Sequence, residues 1–454
     1  MIPTERNRLS ARAARYARVG ANVGGVAARM AGTRLFGGEG AASAAALRQA
    51  LGGLKGPIMK VAQLISTIPD ALPPEWADEL QKLQSDAPPM GAGFVRRRMQ
   101  AELGTGWESR FGAFDLHPAA AASLGQVHRA TALDGRSLAC KLQYPDMASA
   151  VEADLSQLEV LFSIHRRMSP AVDLRDALKE IGARLREELH YLHEARHAAL
   201  YRLMLADVPE VTVPVVDTAL STDRLLTMQW LEGRKLLDFR DADLDMRNRI
   251  GLAMFRAWWF PFAHYGVIHG DPHFGNYTVR STASEPSVPD GINLLDFGCI
   301  RVFPPRFVGG VVDLYYGLLD NNRDRIVHAY ETWGFKGLSA ELIDVLNIWA
   351  RFIYGPILDN RVRTIADGIE PGHYGRREAF RVHQALKELG PIKVPREFVF
   401  MDRAAVGLGG VFLHLRAEMN FFEEFGQQIG GFDLATLTSR QAAALETVGL
   451  VMDR

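Results

Sequence analysis

The sequence predicts an α+β protein of two lobes, a small strand-rich lobe followed by a larger helical one, with a helical extension ahead of both. Three observations carry this reading. Short alternating runs, SLGQVHRATAL and SLACKLQY, follow His117 and are joined by Asp134-Gly135, a strong hairpin signal. Apolar residues spaced for helices dominate before that stretch and again beyond Gly233. A chain of 454 residues with ordinary apolar content suffices for two or three domains, or for one two-lobed domain with extensions.

Taken in order, residues 1–36 form a basic arm, with Arg6, Arg8, Arg12, Arg15, Arg18, Arg29 and Arg34 set against the single acid Glu5. That pattern suits a transit peptide, an interfacial basic helix or an exposed solvated tail. Residues 37–115 read as a helical extension broken by Gly and Pro pairs. The strand-rich lobe, 116–232, contains the hairpin runs, two amphipathic helices (Val151 to Met168 and Leu174 to Met204) and two further strands, VTVPVV (211–216) and LLTMQW (225–230). The helical lobe, 233–454, is interrupted by VIHGDPHFGNYTV (267–279) and INLLDFG (292–298), with a polar loop from Ser281 to Gly291 between them. Its tail from Phe307, including Pro395 to Phe425, is helical by periodicity.

Composition narrows the function classes. A net charge of −1 argues against a nucleic-acid partner held by global charge. The two cysteines, Cys140 and Cys299, offer no disulfide framework and suit a reducing compartment, so a cytoplasmic location is expected. No run of about eighteen apolar residues occurs; Ala404 to Leu413, short and interrupted by glycine, reads as a buried helix.

The chemistry gathers at VIHGDPHFGNYTV. His269-x-Asp271-x-x-x-x-Asn276 has the spacing of a kinase catalytic loop, where Asp receives the proton of the attacking hydroxyl and Asn binds Mg²⁺. The alternative is a buried turn whose Asp and Asn cap backbone groups. Asp296-Phe297-Gly298 ends the next strand, and neighbouring strands would bring the Asn276 amide oxygen and the Asp296 carboxylate together, as a magnesium site needs. Upstream, Ala139 and Lys141 share one face of a strand, so a small residue under adenine can sit beside a phosphate lysine, while Cys140 points the other way. Glu187, Glu188 and Glu194 offer carboxylates for that lysine, or pair with Arg184, Arg186 and Arg196 instead. Gln229-Trp230-Leu231 lies where a hinge would offer backbone groups to adenine, with Gln229 and Leu231 the candidate contacts. No Gly-x-Gly-x-x-Gly precedes Lys141; the corresponding loop, Pro118 to His128, carries Ala120, Ala121, Ala122 and Ser123 instead. Alanine cannot bring its backbone to phosphates as closely as glycine can, which argues against ordinary protein-kinase activity.

These residues resemble the UbiB/AarF family of atypical, protein-kinase-like proteins tied to ubiquinone and isoprenoid-lipid metabolism, over about Arg34 to Phe425. The likeness rests on Lys60-Val61-Ala62-Gln63, Leu72-Pro73-Pro74-Glu75, the alanine-rich loop with Gln126-Val127-His128, the lysine strand, Glu188 to Ala195, His269-Gly-Asp-Pro-His and Asp296-Phe-Gly. The resemblance implies a bilobal protein-kinase-like fold whose helical extension covers the active site. It implies that Lys141 contacts the phosphates of ATP or ADP and pairs with Glu194, that Asp271 is the catalytic aspartate, and that Asn276 and Asp296 hold Mg²⁺. Lys60, Gln63 and Glu188 would be regulatory, closing the site to protein substrates. Departures are Ala62 in place of a glycine, His190 in place of an acid, and no pair of C-terminal membrane helices. The expected partners are therefore an adenine nucleotide and a lipid or quinone precursor, with any membrane contact peripheral, at the inner membrane. His-Gly-Asp with the later Asn is also similar to small-molecule phosphotransferases of the aminoglycoside and choline kinase type. A non-catalytic nucleotide-binding scaffold is the third reading.

Overall fold

The computed structural model describes residues 90–451 apart from 123, 154, 157–181, 184, 282–284, 286–287, 367–380, 383 and 386–394. The basic arm, most of the extension, Lys60, Gln63 and Ser123 lie outside the described residues. The chain divides into two compact units, one of Met1–His193 with Val216–Trp230 and one of Glu194–Val215 with Leu231–Arg454.

The first unit is built on a four-stranded antiparallel sheet with strand order β1-β2-β3-β5. Its strands are β1 (Phe111–Ala122), β2 (Gly125–Ala132), β3 (Ser137–Gln143) and β5 (Leu225–Gln229); β4 (Val211–Thr212) belongs to the second unit. Beneath the sheet, helix α1 (Ala92–Leu103) buries Val95 and Met99 against Leu138, Cys140, Leu142 and Leu225. The β2–β3 hairpin turns at Asp134-Gly135 as expected, with Gly135 at φ 87° and Asp134 accepting from the Arg136 amide. β3 is buried at every residue after Ser137, because it is an inner strand covered on both faces.

Three expectations need correcting here. β1 starts at Phe111, before the expected change at His117. Register shifts between Phe111 and Ala113, and again between Phe114 and Pro118, break the two-residue period that would have revealed the strand. The segment expected to be an alanine-rich loop is strand as far as Ala122, with Ala120, Ala121 and Ala122 paired to Val127, Gln126 and Gly125. Gly125 is required there, since a Cβ would lie 2.3 Å from the Leu142 carbonyl oxygen. Finally, Leu174 to Met204 is no single helix: the chain turns at Glu188 and Leu189, and the Tyr191 amide donates to the Asp223 carbonyl at 3.1 Å. No Pro or Gly marks that break, which is set by the tertiary bond.

In the second unit, α2 (Tyr191–Met204), whose first residues belong to the first unit, precedes β4, β6 (Arg234–Lys235) and the long helix α3 (Leu244–Tyr265). Gly266, at φ 64°, caps α3 and sends the chain directly into β7 (Val267–His269). There follow β8 (Tyr277–Ser281), β9 (Pro289–Leu294) and β10 (Ile300–Val302). One sheet has the order β4-β9-β8-β6, with β4 parallel to β9, and β7 pairs separately with β10. VTVPVV yields only the short β4 because Pro214 has no amide to donate to a ladder. Helices α4 (Pro305–Leu319), α5 (Arg323–Trp333), α6 (Ala340–Leu358), α7 (Arg396–Leu415), α8 (Phe421–Ile429) and α9 (Leu434–Thr447) complete the unit. The run from Pro395 to Phe425 is thus two helices; Arg416, at φ 51°, ends the first, and Met419 pairs with Arg363. Ala404 to Leu413 is a buried part of α7, and no helix among the described residues is long and apolar enough to cross a membrane.

Candidate active site

The loop after β7 is held by main-chain pairing to β10 and by side chains that reach main-chain groups. His269 pairs across to Ile300, and the Gly270 amide donates to the Cys299 carbonyl at 2.7 Å. A Cβ on Gly270 would meet that carbonyl oxygen and the Cys299 sulfur at 3.0 Å, so glycine is needed for this approach. His269 is buried, and its Nε2 donates to the Asp296 carbonyl at 2.7 Å while its Nδ1 accepts from the Asp271 amide at 3.3 Å. Those two bonds assign the proton to Nε2.

Asp271 and Asn276 form the next layer. The Asn276 side-chain amide donates to the Asp271 carbonyl at 2.8 Å and, more weakly, to its carboxylate at 3.5 Å. Among the described residues the Asn276 side-chain oxygen is left without a partner. The Leu295 amide donates to the Asn276 carbonyl at 3.0 Å, which sets Asp296 beside the loop. Asp296 accepts from the Gly298 amide at 3.0 Å. Beneath them Tyr277 is buried, and that burial, together with the Asp271 charge, pushes its phenol far above its usual range. So the structure brings His269, Asp271, Asn276 and Asp296 together as expected from their spacing.

One face of α2 closes on Phe297. Glu194, His197 and Tyr201 are spaced at i, i+3 and i+7. The Phe297 amide approaches Glu194 Oε1 at 3.5 Å, His197 Nδ1 donates to the Phe297 carbonyl at 3.1 Å, and the Tyr201 ring lies 5.7 Å from the Phe297 ring and 6.1 Å from His269. His197 and Tyr201 are additions to the sequence reading. The available signal was their helical spacing from Glu194, which only gained meaning once Phe297 was placed.

The remaining candidates lie in the first unit, apart from Leu231, which opens a segment of the second. Lys141 is buried on the same face of β3 as Ala139, with its Nζ 5.3 Å from the centre of the Tyr191 ring. Cys140 points into the core, and burial pushes its thiol up to about 12, so it is inert packing. Gln229 ends β5 opposite Leu138, and the Trp230 amide donates to the Ser137 carbonyl at 2.9 Å. Leu231 follows, half-buried, and Glu188 is half-buried at the helix break. Gln126 and His128, inward-facing on β2, are linked at 2.9 Å, and Gln126 also brackets the main chain of Met90, accepting from its amide at 2.7 Å and donating to its carbonyl at 3.3 Å. Burial lowers the His128 pKa below the usual imidazole value.

Comparison with known proteins fixes what this arrangement is. The model of the ABC1 atypical kinase-like domain matches residues 82–330. This chain belongs to the ABC1 atypical kinase-like family. Its relatives there, the UbiB group, include the mitochondrial atypical kinase COQ8 of Saccharomyces cerevisiae, 29% identical over 56% of this chain and 50% of that protein. The chloroplastic protein ACTIVITY OF BC1 COMPLEX KINASE 8 of Arabidopsis thaliana is 31% identical over 61% of this chain and 36% of its own length. The ABC1 chain therefore spans only about a third to a half of these relatives. A solved Mycobacterium tuberculosis chain, described as a complex of Rv3197 with erythromycin, is similar at 26% identity and a TM-score of 0.58, covering 91% of this chain and 99% of that one. The ABC1 chain has the α+β kinase-like fold.

Proposed function

We propose that this ABC1 family member is a Mg²⁺-dependent atypical kinase or ATPase that binds ATP or ADP and serves ubiquinone or other isoprenoid-lipid metabolism rather than ordinary protein phosphorylation. The observation that supports this is the loop itself: Asn276 is bonded to Asp271 and His269 to the Asp296 carbonyl, so the residues of a phosphoryl-transfer loop lie side by side. In this reading Asp271 accepts the proton of the attacking oxygen. Asn276 and Asp296 fit Mg²⁺ because an amide oxygen and a carboxylate are the hard donors it takes. The metal, when bound, supplies charge neutralisation at the phosphates. Lys141 positions the phosphates, with Glu194 as its counter-charge, and Gln229 and Leu231 present backbone groups to adenine. Lys60, Gln63 and Glu188 are the proposed regulators of access.

The test is thermal unfolding with MgATP and MgADP, alongside nucleotide turnover. Nucleotide at a hundred times its dissociation constant should stabilise the protein by about 2.7 kcal/mol, and Asp296→Asn should remove that gain. Asp271→Asn should keep the gain and lose most turnover. No stabilisation at millimolar nucleotide would refute the reading, and equal losses in both variants would make Asp271 structural.

A further inference from the structure

Within the second unit, α3, α4, α6 and α7 surround a recess away from the loop just described. The recess is partly open to solvent, and the space in it open to the centre of a water-sized molecule is about 60 Å³. The described lining is aromatic and aliphatic, including Trp259, Trp349, Ile353 and Phe398, with one carboxyl group among it, that of Asp402. Asp402 Oδ2 accepts from the Trp349 indole at 2.6 Å, while its other oxygen has no hydrogen-bond partner among the described residues.

We propose that this recess is a binding site for a small uncharged molecule with an apolar body and one hydroxyl group, held by Asp402. The apolar walls favour an apolar body, since a hollow of this lining gains little from water. The second carboxyl oxygen, which is left over from the bond to Trp349, supplies the polar contact for a ligand hydroxyl. Burial raises the Asp402 pKa from 3.8 to about 8, so at neutral pH the carboxyl is mainly protonated and can both donate and accept. That favours an alcohol over a cation. A cavity that holds benzene is about 150 Å³, larger than the space here, so the polar end enters the recess and the apolar body lies along its open mouth. No nucleotide enters this argument, so the proposal fails or holds independently of the function proposed above.

The experiment titrates the full chain with benzyl alcohol, toluene and benzylammonium, read by saturation-transfer NMR and calorimetry. Benzyl alcohol should bind the wild type more tightly than toluene or benzylammonium. Ala405→Leu, which fills the recess, should abolish binding. Asp402→Leu, checked for folding by near-ultraviolet circular dichroism, should weaken benzyl alcohol at least tenfold and leave toluene unchanged. Should Asp402→Leu fail to fold, Ala405→Leu still decides whether the recess is the site. The proposal is overturned if benzyl alcohol fails to bind at millimolar concentration, if Ala405→Leu leaves binding intact, if Asp402→Leu binds the alcohol as well as wild type, or if benzylammonium binds best.

Discussion

Gln126 shows how much one side chain can hold. It accepts from the buried Met90 amide and donates to the Met90 carbonyl, fixing the start of the described chain to β2. Gln126→Ala leaves both backbone groups unpaired in a buried place, and it should cost about 2–4 kcal/mol, read as a lower urea midpoint with an unchanged slope. A loss below about 0.5 kcal/mol would mean water replaces the side chain. The sequence showed Gln126 only as part of a motif. Its partner lies 36 residues away, and such pairing leaves no trace in local pattern. Lys141 was legible for the opposite reason: strand alternation alone set it beside Ala139 and turned Cys140 to the core.

Among elements, α2 acts on the loop through a single face. His197 holds the Phe297 carbonyl, so His197→Ala should unlatch the segment that carries Asp296. We expect at least a tenfold fall in nucleotide turnover with a stability loss of about 1–2 kcal/mol. His197→Asn, which keeps an N–H for that carbonyl, should recover most of the turnover. If both variants turn over like wild type, the contact is packing only. Strands and helices with unbroken periods were readable from sequence, including β2, β3, β5 and most of the helical tail. The misread elements share a cause: bulges in β1, the Tyr191 bond to Asp223 and the αL turn at Arg416 each override the local pattern through contacts made elsewhere.

For the molecule as a whole, Asp402 makes stability depend on pH. Burial pushes its pKa up to about 8 in the fold from the ordinary aspartate value of 3.8, so the folded state holds the extra proton between those limits. That contribution is full below about pH 4 and is lost as pH rises toward about 8, at most about 1.4 kcal/mol per pH unit. The Trp349 indole, which donates to Asp402, does not titrate, and burial keeps the nearby phenols of Tyr330 and Tyr354 protonated throughout this range. Asp402→Asn keeps an acceptor for Trp349 and should flatten the profile, so that its advantage over wild type grows from pH 5 to pH 8 in chemical-denaturation curves. Parallel profiles would contradict the assignment. At this scale, the periodic runs foretold the α+β class, and the want of a long apolar run foretold the lack of a spanning helix among the described residues. The recess was not legible, because no single segment carries it.

His269 grips Asp296 by the peptide carbonyl, and Asn276 grips Asp271 mainly the same way. Both grips close on peptide carbonyls, while the Asp296 carboxylate also accepts from the Gly298 amide and the Asn276 amide also reaches the Asp271 carboxylate. Asparagine at either position keeps the gripped carbonyl and an acceptor oxygen, so an Asp296→Asn or Asp271→Asn protein that stays folded and silent would report on chemistry and not on collapse. Swapping His269 offers no such clean control, since it would disturb both at once.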